Sequence, residues 1–444
     1  MSELLYLKLY KKIEEEIASG RLLPYDRLPS KRALAATEGV SLNTVITAYE
    51  LLAKNGLIVT AERKGYYVAG DDGGRSFAGA PWSRPSTRKY IFSINSNGIT
   101  TLTRKLIKAQ HDAGYELERR LLSYKEYTGS SRLRESICEY LYKTRRISCN
   151  SEQIITASGI NGLMSICRRL LGDIKYGFED PTEKRAEFAL TAGKNIVTVP
   201  TGADGADIGT LVSSDAQAFF CMPEKQYPTG CRMSLEKRHE LLDRYHDERY
   251  ILEYGLCSEL CFGAPLPSLY ELDDGRRVIY INTFDKITAP GITLAYMVLP
   301  EPLIALFKER LWYHHSNVSE YDSLLVSEFI SNGGIYSNIK RLRRLYEKKC
   351  RAALEEFKDL AICDRLSFTG TEGGTFFSLG VETGKTGGEL MALAAAKDVK
   401  LLPISCYNLI HDHSARIFAF GYAELNEPDL REGIRLIGEA WKNI

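Results

Sequence analysis

Lys286 ends the run Val278-Ile279-Tyr280-Ile281-Asn282-Thr283-Phe284-Asp285 and is followed closely by Ala289-Pro290-Gly291. A lysine at the end of a buried strand, away from bulk water, loses part of its basicity, and its amine can attack an aldehyde to give a Schiff base. Most lysines are solvated surface residues, so the neighbours of Lys286 decide between the two readings. Other residues with chemistry stand in comparable places: Ser158-Gly159 after Ile154-Ile155-Thr156, Pro223 after Ala218-Phe219-Phe220-Cys221, and Glu253 after Ile251-Leu252. These runs, with Asn195 to Val199, alternate with longer helical stretches from about Tyr90 onward. That alternation predicts βα units and a mainly parallel sheet covered on both faces. Ligands of such sheets sit at the carboxyl ends of the strands, where these residues fall.

A second group lies near the N-terminus. Leu5, Leu9, Ile13 and Ile17 recur every four positions and predict an amphipathic helix over residues 4–18. Ser30 is placed to cap a second helix that buries Leu34 and Ala35, with a turn at Gly39. Ser41 caps a third, Leu42 to Lys54, with Val45, Ala48, Tyr49 and Leu52 inward and Asn55-Gly56 ending it. Strand-like runs at 57–61 and 65–69 flank Glu62-Arg63-Lys64, giving the plan of a winged helix-turn-helix. A helix opening at Ser41 can aim Asn43 and Thr44 at base edges. Lys31 and Arg32 would lie over the DNA backbone, and Arg63 and Lys64 on the wing would reach a flanking groove or phosphate. Residues 1–70 carry ten Lys/Arg against eight Asp/Glu, a net +2, so the basic signal is local and small. A small helical protein-interaction unit is the alternative, because the shape is not unique to DNA binders.

Composition bounds what remains. The 444 residues are 44% hydrophobic and 26% charged, and 58 Lys/Arg against 57 Asp/Glu leave +1. No global field recruits nucleic acid or membrane. No apolar run reaches the roughly 18 residues of a membrane span, and the first residues lack a signal-peptide pattern. Ten cysteines, none before Cys138, do not make a dense disulfide framework, and Cys257 and Cys261 have no second pair at zinc-like spacing. Cytoplasmic localisation with reduced thiols is expected. Gly-rich residues 70–81, followed by Pro85, read as a linker. The resulting division is 1–70 DNA-binding, 71–89 linker and 90–444 a large α/β domain.

The stretch RLPSKRALAATEGVSLNTVITAYELLAKNGLI, followed by RKGYYV, resembles the GntR-type winged helix-turn-helix over nearly all of residues 4–69. That family usually has Arg after the Ser that opens the recognition helix, where this chain has Leu42. It usually has two wing glycines, of which Gly65 remains, so operator preference is expected to differ. Further along, SYKEYTGSSRLRESICEYL, IITASGINGLMSI, PEKQYPTG, INTFDK with APGITLAY, and SARIFAFGYAEL occur in that order. Together they resemble the fold-type-I aminotransferase domain over roughly residues 90–444. A GntR-type winged helix joined to that domain is the layout of the MocR-type regulators.

The resemblance implies a role for each matching residue. Lys286 would form the Schiff base with pyridoxal 5'-phosphate, and Gly159-Ile160-Asn161 would hold its phosphate on backbone N–H groups. Tyr124 would reach that phosphate from the partner subunit of a homodimer. Gln226, with Pro228 and Gly230, would form the turn beside the ring. Arg416 would grip the carboxylate of an effector such as an amino acid, or else make a structural ion pair in the core.

Five positions depart from the pattern. The family's E-D-D-Y is Glu253-Tyr254-Gly255-Leu256, so the ring-nitrogen Asp is Tyr254 and the ring-oxygen Tyr is Leu256, unless Glu253 substitutes. The ring-stacking aromatic is Glu183, the serine before the lysine is Asp285, and the phosphate-binding arginine is Thr293. Without an anion the ring nitrogen is a poor electron sink, and added negative charge opposes a dianionic phosphate. Weak or absent cofactor binding and no transaminase turnover are expected. Three functions stay open: a transcription regulator that binds a double-stranded DNA operator and whose large domain dimerises and senses an amino acid or a pyridoxal-phosphate-related effector; a pyridoxal-phosphate aminotransferase with a DNA-binding appendage; and a regulator whose large domain has lost the cofactor and dimerises or binds an unmodified ligand.

Overall fold

The computed structural model describes residues 5–18, 22, 28–54, 57–61, 65–68, 88–94, 98, 102–120, 127–246, 249–409 and 416–444. Asn55-Gly56, Arg63, Lys64, the expected linker through residue 87, and Tyr124 lie outside the described residues.

Near the N-terminus the chain forms α1 (Leu5–Ala18), α2 (Lys31–Glu38), α3 (Leu42–Lys54) and a hairpin of β1 (Ile58–Ala61) and β2 (Gly65–Val68). Ser30 Oγ accepts the Ala33 amide at 3.2 Å and starts α2. Gly39 ends that helix at φ 66°, a left-handed conformation that glycine adopts without steric cost. Ser41 Oγ accepts the Thr44 amide at 3.1 Å and starts α3. Val45, Ala48, Tyr49 and Leu52 are fully buried, as their spacing predicts. Leu5 departs from its stripe: it is 59% exposed, because the core of this unit begins one turn later, at Leu9 and Ile13. The strands pair antiparallel, Ile58 opposite Val68, and the Tyr66 ring packs 4.8 Å from that of Tyr49.

The rest of the chain runs β3 (Tyr90–Ile91), α4 (Arg104–Arg120), α5 (Ser131–Arg145), β4 (Ile154–Ser158), α6 (Gly159–Leu171), β5 (Tyr176–Asp180), α7 (Lys184–Thr191), β6 (Ile196–Gly202), β7 (Gly205–Ala206), β8 (Ala218–Cys221), β9 (Tyr250–Tyr254), β10 (Val278–Thr283) and β11 (Leu294–Val298). Eight of these strands form one sheet in the order β4-β11-β10-β9-β8-β5-β6-β7. The pairings from β10 through β9, β8 and β5 to β6 are parallel. β11 runs antiparallel between β10 and β4. The reason is length: only residues 284–293 separate β10 from β11, and a parallel crossover needs about a dozen residues or more. Lys286 therefore sits in the connection between two antiparallel strands. Every residue of β10 and β11 is buried, as in a sheet covered on both faces.

A second, antiparallel sheet near the C-terminus comprises β12 (Leu366–Thr369), β13 (Phe376–Val381), β15 (Leu402–Pro403) and β16 (Ile417–Gly421), in the order β12-β13-β16-β15, while β14 (Val399–Lys400) pairs parallel with β3. No helix among the described residues is long and apolar enough to cross a membrane. No His/Cys/Asp/Glu group among them has the makings of a metal site.

Glu179, near the end of β5, is 1% exposed, and its carboxylate accepts the Met222 amide at 3.0 Å. Burial pushes this carboxyl up to about 8. Between 4.5 and about 8 the folded chain thus holds a proton that the unfolded chain has released, so stability falls as pH rises through that window. Glu179→Gln is expected to be more stable than wild type at pH 8 and to lose that advantage at pH 5, as thermal denaturation at the two pH values will show.

Candidate functional site

The carboxyl ends of β4, β5, β8, β9 and β10 open on a cavity of about 410 Å³. Lys286, Gly159, Ile160 and Asn161 line it, and so do all five departing positions, Glu183, Tyr254, Leu256, Asp285 and Thr293. Residues read separately from the sequence therefore share one site. Thr375 and Phe376 bring the second sheet to the same wall.

The local geometry shows what this site can hold. Gly159 opens α6, and its N–H already donates to the Thr293 carbonyl at 2.5 Å. Ser158 Oγ lies 3.2 Å from Thr293 Oγ1, and the Ser158 amide donates to Asn317 Oδ1 at 2.8 Å. The helix thus keeps the amides of Ile160 and Asn161 at the cavity, while its first donor is taken. Thr283 donates from Oγ1 to Asp285 Oδ1 at 2.5 Å, which fixes the carboxylate next to Lys286. Burial, with the Asp285 charge adding to it, pushes the Tyr254 phenol well above its usual range, so it stays neutral. Burial also pushes the Cys257 thiol at the cavity wall up to about 11, against the pull of Lys286 and Lys225.

These residues do not fit pyridoxal 5'-phosphate. Two carboxylates, Asp285 and Glu183, face the cavity, a neutral phenol and Leu256 stand where the ring requires an anion and a hydroxyl, and Thr293 supplies no cation. The one remaining candidate for the ring-nitrogen anion fails on strand geometry. Glu253 and Tyr254 are consecutive in β9 and so point to opposite faces. Tyr254 lines the cavity, whereas Glu253 is fully buried and accepts the Tyr270 amide at 2.9 Å.

Two further expectations are placed elsewhere. Gln226 is buried but does not line the cavity. Its Nε2 donates to the Pro181 carbonyl at 2.5 Å and its Oε1 accepts the Thr229 amide at 3.0 Å, so it braces the turn instead of reaching a ligand. Arg416 is half-buried just ahead of β16 and is not a lining residue; its Nε is buried without a partner among the described residues.

Sequence reasoning missed Arg185, which does line the cavity. Its Nε donates to Glu183 Oε1 at 2.9 Å, and that carboxylate also caps α7. The available signal was position: Arg185 follows β5 by five residues, at the sheet edge where ligands bind.

At the other end of the chain, Ser41, Leu42 and Asn43 are exposed at the start of α3. Thr44 is half-buried, with its hydroxyl 2.8 Å from Ser41 Oγ. Arg32 is exposed, but the Lys31 ammonium lies 4.9 Å from the centre of the Tyr66 ring, a cation–π contact that ties α2 to the hairpin.

Residues 5–68 match the family described as "Bacterial regulatory proteins, gntR family". The chain is 31% identical to the "uncharacterized HTH-type transcriptional regulator YdeL" of Bacillus subtilis (strain 168), over 99% of this chain and 97% of YdeL. It is 30% identical to the "probable rhizopine catabolism regulatory protein MocR" of Rhizobium meliloti, over 98% of this chain and 94% of MocR. Among solved structures it is similar to LysN, the alpha-aminoadipate aminotransferase of Thermus thermophilus, with a TM-score of 0.70 at 23% identity over 79% of this chain and 92% of LysN. That likeness establishes the aminotransferase fold of the large domain. Full-length relatedness to regulators, a GntR helix-turn-helix in front and this fold behind it place the chain in the MocR-type family of HTH transcriptional regulators.

Proposed function

We propose that the large domain is the sensor of this regulator, and that its cavity takes a free zwitterion such as an amino acid in place of a catalytic cofactor. The observation that carries this reading is the charge arrangement of the cavity wall. Lys286 and Arg185 supply cations and Asp285 and Glu183 supply anions within one cavity of about 410 Å³. A small molecule with both a carboxylate and an ammonium matches that wall, and a guanidinium suits the carboxylate. The same wall, with Asp285 next to Lys286 in the chain and Glu183 paired to Arg185, offers a dianionic phosphate no excess of positive charge. The aminotransferase reading needs the ring-nitrogen anion that Glu253 does not provide, so no transaminase turnover is expected of this chain.

The test uses a DNA duplex selected from a random pool by the full-length protein. Fluorescence anisotropy is recorded with each amino acid in turn. At least one is expected to change DNA affinity, and Arg185→Ala is expected to lose that response while binding DNA as wild type does in its absence. Indifference to every amino acid, or multiple-turnover conversion of one to its keto acid, would overturn the reading.

The reading includes a homodimer built mainly through the large domain, with Tyr124 contributed across it. Two winged helices on one dimer read two half-sites, which raises affinity through effective concentration. A monomer in sedimentation at micromolar concentration, with DNA binding intact, would count against it.

On the DNA, the first turn of α3 supplies the base contacts. Asn43 is suited to adenine, and the exposed Leu42 offers an apolar contact of the kind a thymine methyl takes. Substituting Asn43 or Thr44 should relax or shift sequence preference. Changing Lys31, Arg32, Arg63 and Lys64 together to Ala should weaken binding to all sequences and flatten its salt dependence, by about one unit of slope for each phosphate no longer neutralised. Footprints of the quadruple variant that match wild type at every salt concentration would show that the helix-turn-helix docks differently.

A further inference from the structure

Cys138 lies midway along α5, and Cys149 lies in the segment that leads into β4. Their sulfurs are 3.7 Å apart. Both are partly exposed, whereas six of the ten cysteines are buried. We propose that Cys138 and Cys149 form a reversible oxidation site, which a hydroperoxide converts to an intrachain disulfide.

The geometry favours this pair. Disulfide sulfurs sit about 2.05 Å apart, and side chains already in sulfur–sulfur contact need little movement to reach that distance. Arg134 holds the neighbourhood in place: its Nε donates to the Gly129 carbonyl at 3.1 Å and its Nη1 to the Ser151 carbonyl at 2.6 Å. This ties the start of α5 to the turn just beyond Cys149.

The electronic arrangement sets an order. The Cys149 thiol donates to the Cys138 sulfur; that hydrogen bond, helped by the Arg134 charge one turn away, holds Cys138 below its ordinary range. The same bond and burial push Cys149 up. Cys138 is therefore the attacking sulfur. Its thiolate bonds to one peroxide oxygen, the O–O bond breaks, and the other oxygen leaves with a proton as water or alcohol. The Cys149 sulfur then attacks the sulfenic sulfur, the S–S bond forms, the S–O bond breaks, and the hydroxyl leaves with the Cys149 proton as water. Two electrons pass from the thiols to the peroxide, and a dithiol returns them. The closed link would span the entry to β4, whose other end, Ser158, stands at the cavity.

The experiment treats full-length protein with a limiting dose of hydrogen peroxide, then unfolds it in guanidinium chloride, blocks remaining thiols with N-ethylmaleimide, and maps peptides by mass spectrometry. The expected result is a linked 138–149 peptide and two fewer blocked thiols out of ten, both reversed by dithiothreitol. In Cys149→Ser, Cys138 is expected to be trapped by dimedone as the sulfenic acid, while in Cys138→Ser the same dose leaves Cys149 unmodified. Full alkylation of both residues at doses that oxidise other cysteines, or linkage of either to a third cysteine, would overturn the proposal.

Discussion

Changing Asp285 to Ser and Thr293 to Arg together is expected to tighten pyridoxal 5'-phosphate binding by at least 10–100-fold. Both residues line the cavity with Lys286. A hydrogen bond to a charged group is worth about 1.5–3 kcal/mol, and the new guanidinium alone accounts for about that factor of 10–100. Removing the carboxylate that Thr283 now holds beside Lys286 adds to the gain. Isothermal titration of wild type and double variant checks the prediction. Equal affinity for both proteins, or micromolar binding already in wild type, would show that these two positions do not limit the cofactor. The variant is not expected to transaminate, because Tyr254 and Leu256 still stand where the ring needs polar partners.

Glu224→Ala is expected to cost roughly 3–5 kcal/mol of stability, the range for breaking a buried ion pair. Glu224 follows β8 in the loop that ends at Gly230, and its carboxylate is fully enclosed. Oε1 lies 3.0 Å from Arg145 Nη2 and 3.0 Å from Arg238 Nη1, and Oε2 lies 3.1 Å from Arg232 Nη2. Arg145 and Arg238 are themselves almost wholly enclosed, so removing the carboxylate leaves cations in a dry interior. Burial would raise this carboxyl, but the charges of Arg145, Arg238 and Arg232 hold it below its ordinary range. Its stabilisation is thus complete above the ordinary carboxylate pKa and is lost as pH falls through the lower folded-state value. Guanidinium chloride unfolding should show the full difference between wild type and variant at pH 7 and a smaller one in acid. An unchanged midpoint at pH 7 would mean that the three arginines find other partners.

Local rules make the N-terminal unit legible. Ser30 and Ser41 cap the helices that their positions predict, and the apolar spacing of 42–54 places the same four residues inside. Hydrogen bonds over three residues and a 3.6-residue period depend little on distant chain, which is why that reading transfers. The strands of the large domain are legible for a similar reason, since short apolar runs such as 218–221 mark a sheet buried on both faces. Lys31 shows the limit. Its charge suggests a phosphate contact, and no local rule tells that its ammonium also lies over the Tyr66 ring, which comes from the hairpin some 35 residues along the chain.

What the sequence determined by itself is the set of parts: two caps and a helical stripe for reading DNA, a lysine on a strand-end connection, and the residues around it that depart from a cofactor site. Tertiary structure alone decided which of them meet. It put β11 antiparallel between β4 and β10, which brings the Thr293 carbonyl onto the first amide of α6. It turned Glu253 away from the cavity and Tyr254 into it, and it brought in Arg185 while leaving Gln226 and Arg416 out of the wall. It also set Cys138 beside Cys149. The physical reason is the range of the interactions. Caps and amphipathic stripes are satisfied within a few residues, whereas strand order, the face a side chain takes and the charge balance of a cavity depend on segments that only folding brings together.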